Sequence, residues 1–403
     1  MRVSLPVALG AFAIGWCVLM SIHLATNATD VPRYQLYGTE MRHGLVPYRD
    51  FAVEYPPAAL VPFELPALVS TGTRGYRIAF EVLMGLCGAG ALACSAVILR
   101  HLGGSVLPGL AFVAAATLAL GPLALGHFDL WPALLVSASL AALAHDRRVV
   151  SGALVGVAAA AKVYPAVLVP IAVAWLWRTH GSRDAARYLA AAVAAALACF
   201  VPFFVLAPHG VVSSLTSQAD RPLQLESSAA AALLATHQLL GRPLAVSFSH
   251  ASVNLGGKPA AAGGAGTTVL EIVALLAIWI AFARRRRDAR GLAIAATAAV
   301  LAFVSLGKVF SPQFLIWLIP LAPLLGGVLG LSACTAVAAA VVLTRAYFPG
   351  RWSALIRFEA LPTWLLVARD GVLLALLGTL IVVVMKPTAR WPSLQRIRRA
   401  TTS

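Results

Sequence analysis

The stretch PPAALVPFELPALVS, residues 56–70, is apolar enough to enter a membrane, yet it has only 15 residues, four of them proline, and it carries Glu64. A helix needs roughly 20 residues to cross the hydrocarbon. Proline inside a helix removes a backbone hydrogen bond that lipid cannot replace. Whether this piece crosses or folds back sets the side of the membrane on which every later segment lies, so the fold turns on it.

The flanking sequence identifies the solvent. Of 403 residues, 60% are hydrophobic and 11% charged, with a mean hydropathy of +0.85. That is too little polar surface to cover a water-soluble globule. Apolar runs of spanning length at residues 5–25, 77–99, 106–125 and 186–206 predict membrane helices. The first reads as an uncleaved span: only Arg2 precedes it, its apolar core exceeds a cleavable one, and ATNA (25–28) lacks the small-x-small pattern of a cleavage site. Cys17, Cys87, Cys94, Cys199 and Cys334 all lie in apolar runs without a CxxC pair, which predicts small core residues rather than a disulfide frame or a zinc site.

Charge orients the chain. With a cytoplasmic amino terminus, Arg100, HDRR (145–148), WRTHGSRDAAR (177–187), ARRRRDAR (283–290) and KPTARWPSLQRIRRA (386–400) all fall inside. They hold 16 of the 31 lysines and arginines and only three acidic residues, Asp146, Asp184 and Asp288. This is the asymmetry of a cytoplasmic face. It accounts for the net charge of +16 without a nucleic-acid partner, for which a short connection between spans has no room.

That assignment holds only if residues 56–70 do not cross. Read as an interfacial or re-entrant segment, they extend a first extracytoplasmic loop over residues 26–76, and a second follows at 207–267. The expected architecture is one all-α polytopic domain of the plasma membrane, residues 1–403, with about twelve transmembrane helices, both termini cytoplasmic and a cytoplasmic basic tail at 386–403.

The polar residues gather on the outer side. TDVPRYQLYGTEMRHGLVPYRDFAVEYPPAALVPF (29–63) holds four carboxylates, three arginines and four tyrosines, and long connections of this kind carry function more often than packing. Two short apolar runs, 149–161 and 163–177, meet at AAKVYP, where Pro165 breaks the helix and leaves Lys162 in a crevice open to the outside. The second loop contains SQADRPLQLESS (217–228), an Ala/Leu helical stretch with His237, and GGKPAAAGGAG (256–266), whose composition predicts a flexible tail. A site at the membrane surface, fed from the lipid, fits this distribution.

DVPRY (30–34), GLVPYRDFAVEYPP (44–57), HFDLWPALL (127–135), AAKVYP (160–165), RPLQLES (221–227) and KVFSPQFLIW (308–317) resemble, in that order, the blocks of glycosyltransferase family 87. The resemblance runs from residue 30 to 317. It implies a GT-C fold and transfer of a sugar, typically mannose, from a polyprenyl-phosphate donor. It also implies an aspartate in the first outer loop close to the first span, a position that Asp30 matches.

The chemistry agrees with these residue types. A glycosidase needs two carboxylates because its alkoxide leaving group must be protonated. A phosphate leaves as a stable anion, so one base for the acceptor hydroxyl and a few cations suffice. Asp30 is the candidate general base for an inverting hexosyl transfer to an envelope glycolipid, glycan or protein. Lys162, Lys308 and Arg221 are candidates for the donor phosphate. Tyr48, Asp50, Glu54, Tyr55, Asp129, Glu226 and Gln313 are candidates for sugar or acceptor binding.

Plainer roles stand beside these. Asp30 fits an interfacial span end, Asp50 and Glu54 can pair with Arg49 and Arg42, and Asp129 fits an N-cap. Lys162 can snorkel, and Trp131, Trp317 and Trp364 fit an interfacial aromatic belt. Asp30, Glu40, Asp50 and Glu54 could supply oxygens to a divalent ion but lack ordered spacing, so no metal or other cofactor is expected. The rival readings are a transporter or lipid flippase, which would place its site near the midplane, and a non-catalytic envelope-assembly subunit.

Overall fold

The computed structural model describes residues 4–22, 29–70, 72–285 and 288–386. Among these, seven helices are long and apolar enough to cross a membrane: Leu5–Ile22, Thr73–His101, Ser182–Leu206, Gly257–Ala283, Ala289–Leu306, Gly327–Tyr347 and Ala360–Met385. The other apolar runs form shorter helices, including Val106–Ala119, Leu130–Ala144 and Arg148–Ala161. The protein is a multi-pass, helical membrane protein. Ala289–Leu306 lies at its centre with 67% of its apolar window buried, whereas Ser182–Leu206 has 6% buried and turns its Leu, Val and Phe side chains outward.

Residues 57–69 form a 3-10 turn, Pro57–Ala59, continued by the helix Leu60–Val69. At about 1.5 Å per residue this piece is far shorter than the roughly 30 Å hydrocarbon core. It lies against the helix Val31–Arg42 and the long helix Thr73–His101. Gly38 permits the first contact, because a Cβ there would stand 2.4 Å from the Phe63 carbonyl oxygen. Tyr34 stacks on Phe63 with ring centroids 4.2 Å apart, and the Tyr76 hydroxyl donates to the Phe63 carbonyl at 2.9 Å.

The break at AAKVYP is present. Arg148–Ala161 ends where Lys162 turns to extended backbone, and the 3-10 turn Tyr164–Leu168 leads into Val169–His180. Arg148–Ala161 packs along Ser182–Leu206 at very short range. A Cβ on Gly152 or Gly156 would meet the Tyr188 or Ala192 carbonyl oxygen at 2.2 Å, so this GxxxG pair lets two backbones touch.

Two features of the second loop differ from the sequence reading. GGKPAAAGGAG begins the 27-residue helix Gly257–Ala283 apart from its first glycine. Its small residues serve close packing: Ala260 and Gly264 are buried, and Gly263 lies beside Leu223, Ala229 and Leu233. Upstream, Ala245–Ser249 and Ser252–Gly256 form an antiparallel hairpin in the register Val246↔Leu255. Its two turn residues, His250 and Ala251, have φ of 52° and 50°. That is the conformation of a two-residue hairpin turn, built without the Asn-Gly or Asp-Gly pair that announces one. The segment at 223–225 adds to its edge, with Leu225 N–H donating to Val253 at 3.0 Å and Leu255 N–H to Leu223 at 2.9 Å.

Candidate active site

A cavity of about 900 Å³ opens between the two polar regions. The first region contributes Asp30, Arg33, Tyr34, Glu54 and Tyr55; the helix breaks contribute His127, Asp129, Lys162 and Tyr164. Arg221, Gln224 and Glu226 come from the second region, and Lys308 and Gln313 from the segment after Ala289–Leu306.

Asp30 occupies the N-cap position of Val31–Arg42, yet its side chain makes no capping bond. Its backbone N–H is anchored on the Gly126 carbonyl at 3.2 Å, which frees the carboxylate to face the cavity. There Oδ2 accepts from the Tyr34 hydroxyl at 3.3 Å and lies 3.7 Å from His127 Nε2. His127 Nδ1 is 3.1 Å from the Leu123 carbonyl. A carbonyl can only accept, so Nδ1 carries the proton and Nε2 is turned to Asp30. Beside them, Arg33 pairs with Glu54 at 2.8 Å, and burial of its guanidinium is outweighed by the charges of Glu54, Tyr55 and Asp30, which raise its pKa. Gln218 donates to the Glu54 carbonyl at 2.8 Å, tying the second region to the first.

Asp129 begins the helix Leu130–Ala144, again without a side-chain cap bond. Its Oδ1 accepts from Lys162 Nζ at 2.6 Å and from Trp317 Nε1 at 2.8 Å. The ammonium is ringed by Phe128, Phe314 and Trp317, with centroids 4.8, 4.9 and 5.0 Å away. Trp317 is itself sandwiched, 4.0 Å from Tyr164 and 4.1 Å from Phe314. Lys162, a candidate for the donor phosphate, is therefore paired with Asp129 and held over aromatic faces. Trp317 is buried inside this cluster rather than placed in an interfacial belt.

Arg221 has the opposite character. Its Nε is buried without a hydrogen-bond partner, and no carboxylate pairs with its guanidinium among the described residues. Burial lowers its pKa, while Tyr55, Glu54 and Asp30 act in the other direction. Lys308 Nζ donates to the Ala219 carbonyl at 2.7 Å, and the Lys308 carbonyl accepts from Gln224 N–H at 2.9 Å. An unpaired guanidinium and a neighbouring ammonium make this wall of the cavity cationic, a setting that suits a phosphate.

The family model for glycosyltransferase family 87 matches residues 53–312, well over half of the chain. The chain belongs to glycosyltransferase family 87. It is a membrane glycosyltransferase. Among solved structures, the crystal structure of ArnT from Cupriavidus metallidurans in the apo state is similar, with 17% identity, a TM-score of 0.46, and coverage of 93% of this chain and 76% of that one. No curated protein matches. The matched region of this family-87 transferase starts after Asp30, and the fold carries Asp30 to the cavity by way of Gly126.

Several candidates stand elsewhere. Tyr48 is buried outside the cavity, where its hydroxyl donates to the Tyr55 carbonyl at 2.6 Å. Asp50 is held by Arg49 through two 2.9 Å bonds and by Val46 N–H at 2.7 Å; the Arg49 hydrogen bonds pull its pKa down to about 2. Both are loop-forming residues of the first region. Glu54 pairs with Arg33, while Arg42 donates to the Ala67 carbonyl instead. His237 lies outside the cavity, with Nδ1 2.7 Å from the Arg242 carbonyl.

Glu226 is buried and accepts from the Tyr347 hydroxyl at 2.7 Å, with Arg369 donating to that hydroxyl at 2.8 Å and to the Glu226 carbonyl. Burial pushes its carboxyl up to about 7, against the pull of Arg369 and the Tyr347 hydrogen bond. It joins the cavity wall to the last long helix. Among the described residues no three His, Cys, Asp or Glu side chains are grouped to hold a metal. Arg33, His127, Tyr164 and Glu271 reach the cavity without having been singled out as site residues. His127 and Tyr164 lie within the family blocks HFDLWPALL and AAKVYP, which is the signal that could have marked them.

Proposed function

We propose that the protein is an inverting hexosyltransferase that takes mannose from a polyprenyl-phosphate donor and passes it to an envelope glycolipid, glycan or protein on the extracytoplasmic face. The supporting observation is the pairing, across one cavity, of an uncapped carboxylate, Asp30, with an unpaired guanidinium, Arg221. Asp30 takes the proton from an acceptor hydroxyl as that oxygen forms its bond to the anomeric carbon. The bond from the anomeric carbon to the phosphate oxygen breaks on the opposite face, and the phosphate departs with its electron pair. Arg221 and Lys308 stabilise the negative charge that grows there. Lys162 serves through Asp129.

The test is purified protein in liposomes, given labelled polyprenyl-phosphate mannose and an extract of envelope acceptors. Label arriving covalently on an acceptor supports the reading. Label that crosses the bilayer unchanged would mean a carrier, and label that does neither would leave a non-catalytic subunit.

A further inference from the structure

Asp129 and Tyr164 are each 1% exposed, and both form part of the cavity wall. Asp129 Oδ1 is doubly satisfied, by Lys162 at 2.6 Å and Trp317 at 2.8 Å, but its Oδ2 has no hydrogen-bond partner among the described residues. The Tyr164 hydroxyl has none either. Trp317 links the two: its N–H bonds the carboxylate while its ring stacks on the phenol at 4.0 Å. One cluster thus holds a carboxylate oxygen and a hydroxyl that are both buried and both without a partner among the described residues. Buried polar atoms of this kind are costly unless something supplies the missing bonds.

We propose that Asp129 Oδ2 and the Tyr164 hydroxyl form a subsite that reads two neighbouring hydroxyls of the transferred sugar ring, with Lys162 as the positioning residue that holds the carboxylate. The proposal rests on the transfer reading above. The chemical class follows from charge: Lys162 and Asp129 cancel, so the subsite attracts neither an anion nor a cation. A carboxylate oxygen accepts from an alcohol, and a phenol can donate to or accept from the next one. The anionic phosphate of the same donor is drawn instead to the Arg221 wall, so the two ends of the phosphosugar are sorted within one cavity.

The test pairs protein variants with deoxy donors. A site built to bond a hydroxyl rejects the analogue that lacks it, here by about 100-fold or more in kcat/KM. With wild-type protein, one or two of the polyprenyl-phosphate sugars lacking a single ring hydroxyl should show that loss. Tyr164→Phe should lose a similar factor with the full sugar and little more with the matching deoxy donor, because both changes delete the same bond. Asp129→Asn, which keeps the shape but weakens the acceptor, should do the same for the neighbouring position. Tyr164→Phe should also unfold at an unchanged or higher temperature, since it removes an unpaired buried hydroxyl. Independent, additive losses, or a Tyr164→Phe protein that keeps its full discrimination, would overturn the subsite alone. A wild-type protein that transfers no sugar from any donor would remove the transfer reading with it.

Discussion

An aspartate at the first position of a helix ordinarily bonds an amide of the first turn, and neither Asp30 nor Asp129 does so. Each has given up a local bond for a distant one: Asp30 faces Tyr34 and His127, and Asp129 faces Lys162 and Trp317. The two differ in what remains free. Asp30 keeps a side chain 34% exposed to the cavity, whereas Asp129 is almost wholly enclosed. Asp30→Asn, which keeps the size but removes the basicity, should lower turnover by about 100-fold or more while donor binding survives. Asp50→Asn should leave turnover unchanged, because Asp50 is spent on Arg49 and Val46 away from the cavity. Measuring rate and donor affinity for both in the same lipid decides the matter; equal losses would point to a collapsed loop. Asp30 was marked by the family resemblance, which implies an aspartate close to the first span. His127 carried only its place in the block HFDLWPALL, since a lone histidine beside a helix start shows no role of its own until a carboxylate is folded against it.

At the scale of elements, the helices carry the site by being broken. Lys162 sits at the gap between Arg148–Ala161 and the turn Tyr164–Leu168, so its side chain can enter the cavity instead of lipid. That position depends on the backbone contact of Arg148–Ala161 with Ser182–Leu206. Gly156→Val should force the pair apart, because its first carbon alone would stand 2.2 Å from the Ala192 carbonyl oxygen. Overpacking of this kind costs about 1–3 kcal/mol. The expected result is a lower unfolding temperature in detergent and a weakened Lys162–Asp129 contact, seen as reduced turnover in the protein that remains folded. The hairpin shows what periodicity alone misses. Val246, Phe248, Val253 and Leu255 alternate with polar residues, but over too few positions, and the His250–Ala251 turn contains no glycine to mark it.

For the molecule as a whole, the basic connections predict an orientation that labelling tests directly. Single cysteines at Thr39, Thr216 and Arg286 of a thiol-free variant should react with an impermeant maleimide outside, outside and inside respectively. Position 286 lies outside the described residues, so labelling alone reports on it; reaction from outside in intact cells would reverse the map. A second whole-molecule property is the clasp of Glu226 with Tyr347 and Arg369, beside Asp370, which fastens the second polar region to Ala360–Met385. The folded chain holds the Glu226 proton up to about 7, above the ordinary 4.5. The stability this group contributes is therefore fully present below its ordinary value and is lost as pH rises through about 7. Unfolding temperature should fall across that window and level off above it. Glu226→Gln, which still accepts from Tyr347, should flatten the fall; an unchanged slope would assign it to other groups.

The amino-acid sequence by itself determined the membrane as solvent, the helical class, the family and the two polar regions, because hydropathy, charge bias and ordered motif blocks are properties of consecutive residues. Only the tertiary structure decided which charges are free. Lys162, Lys308 and Arg221 look alike as cations in a row of letters, yet Lys162 is paired with a carboxylate 33 positions away and Arg221 with none among the described residues. The same holds for Asp50 and Asp129, one tied to its neighbour away from the cavity and the other built into the cavity wall. A charge acts through whatever lies within a few ångströms of it, and in this chain those neighbours arrive from helices far apart in the sequence.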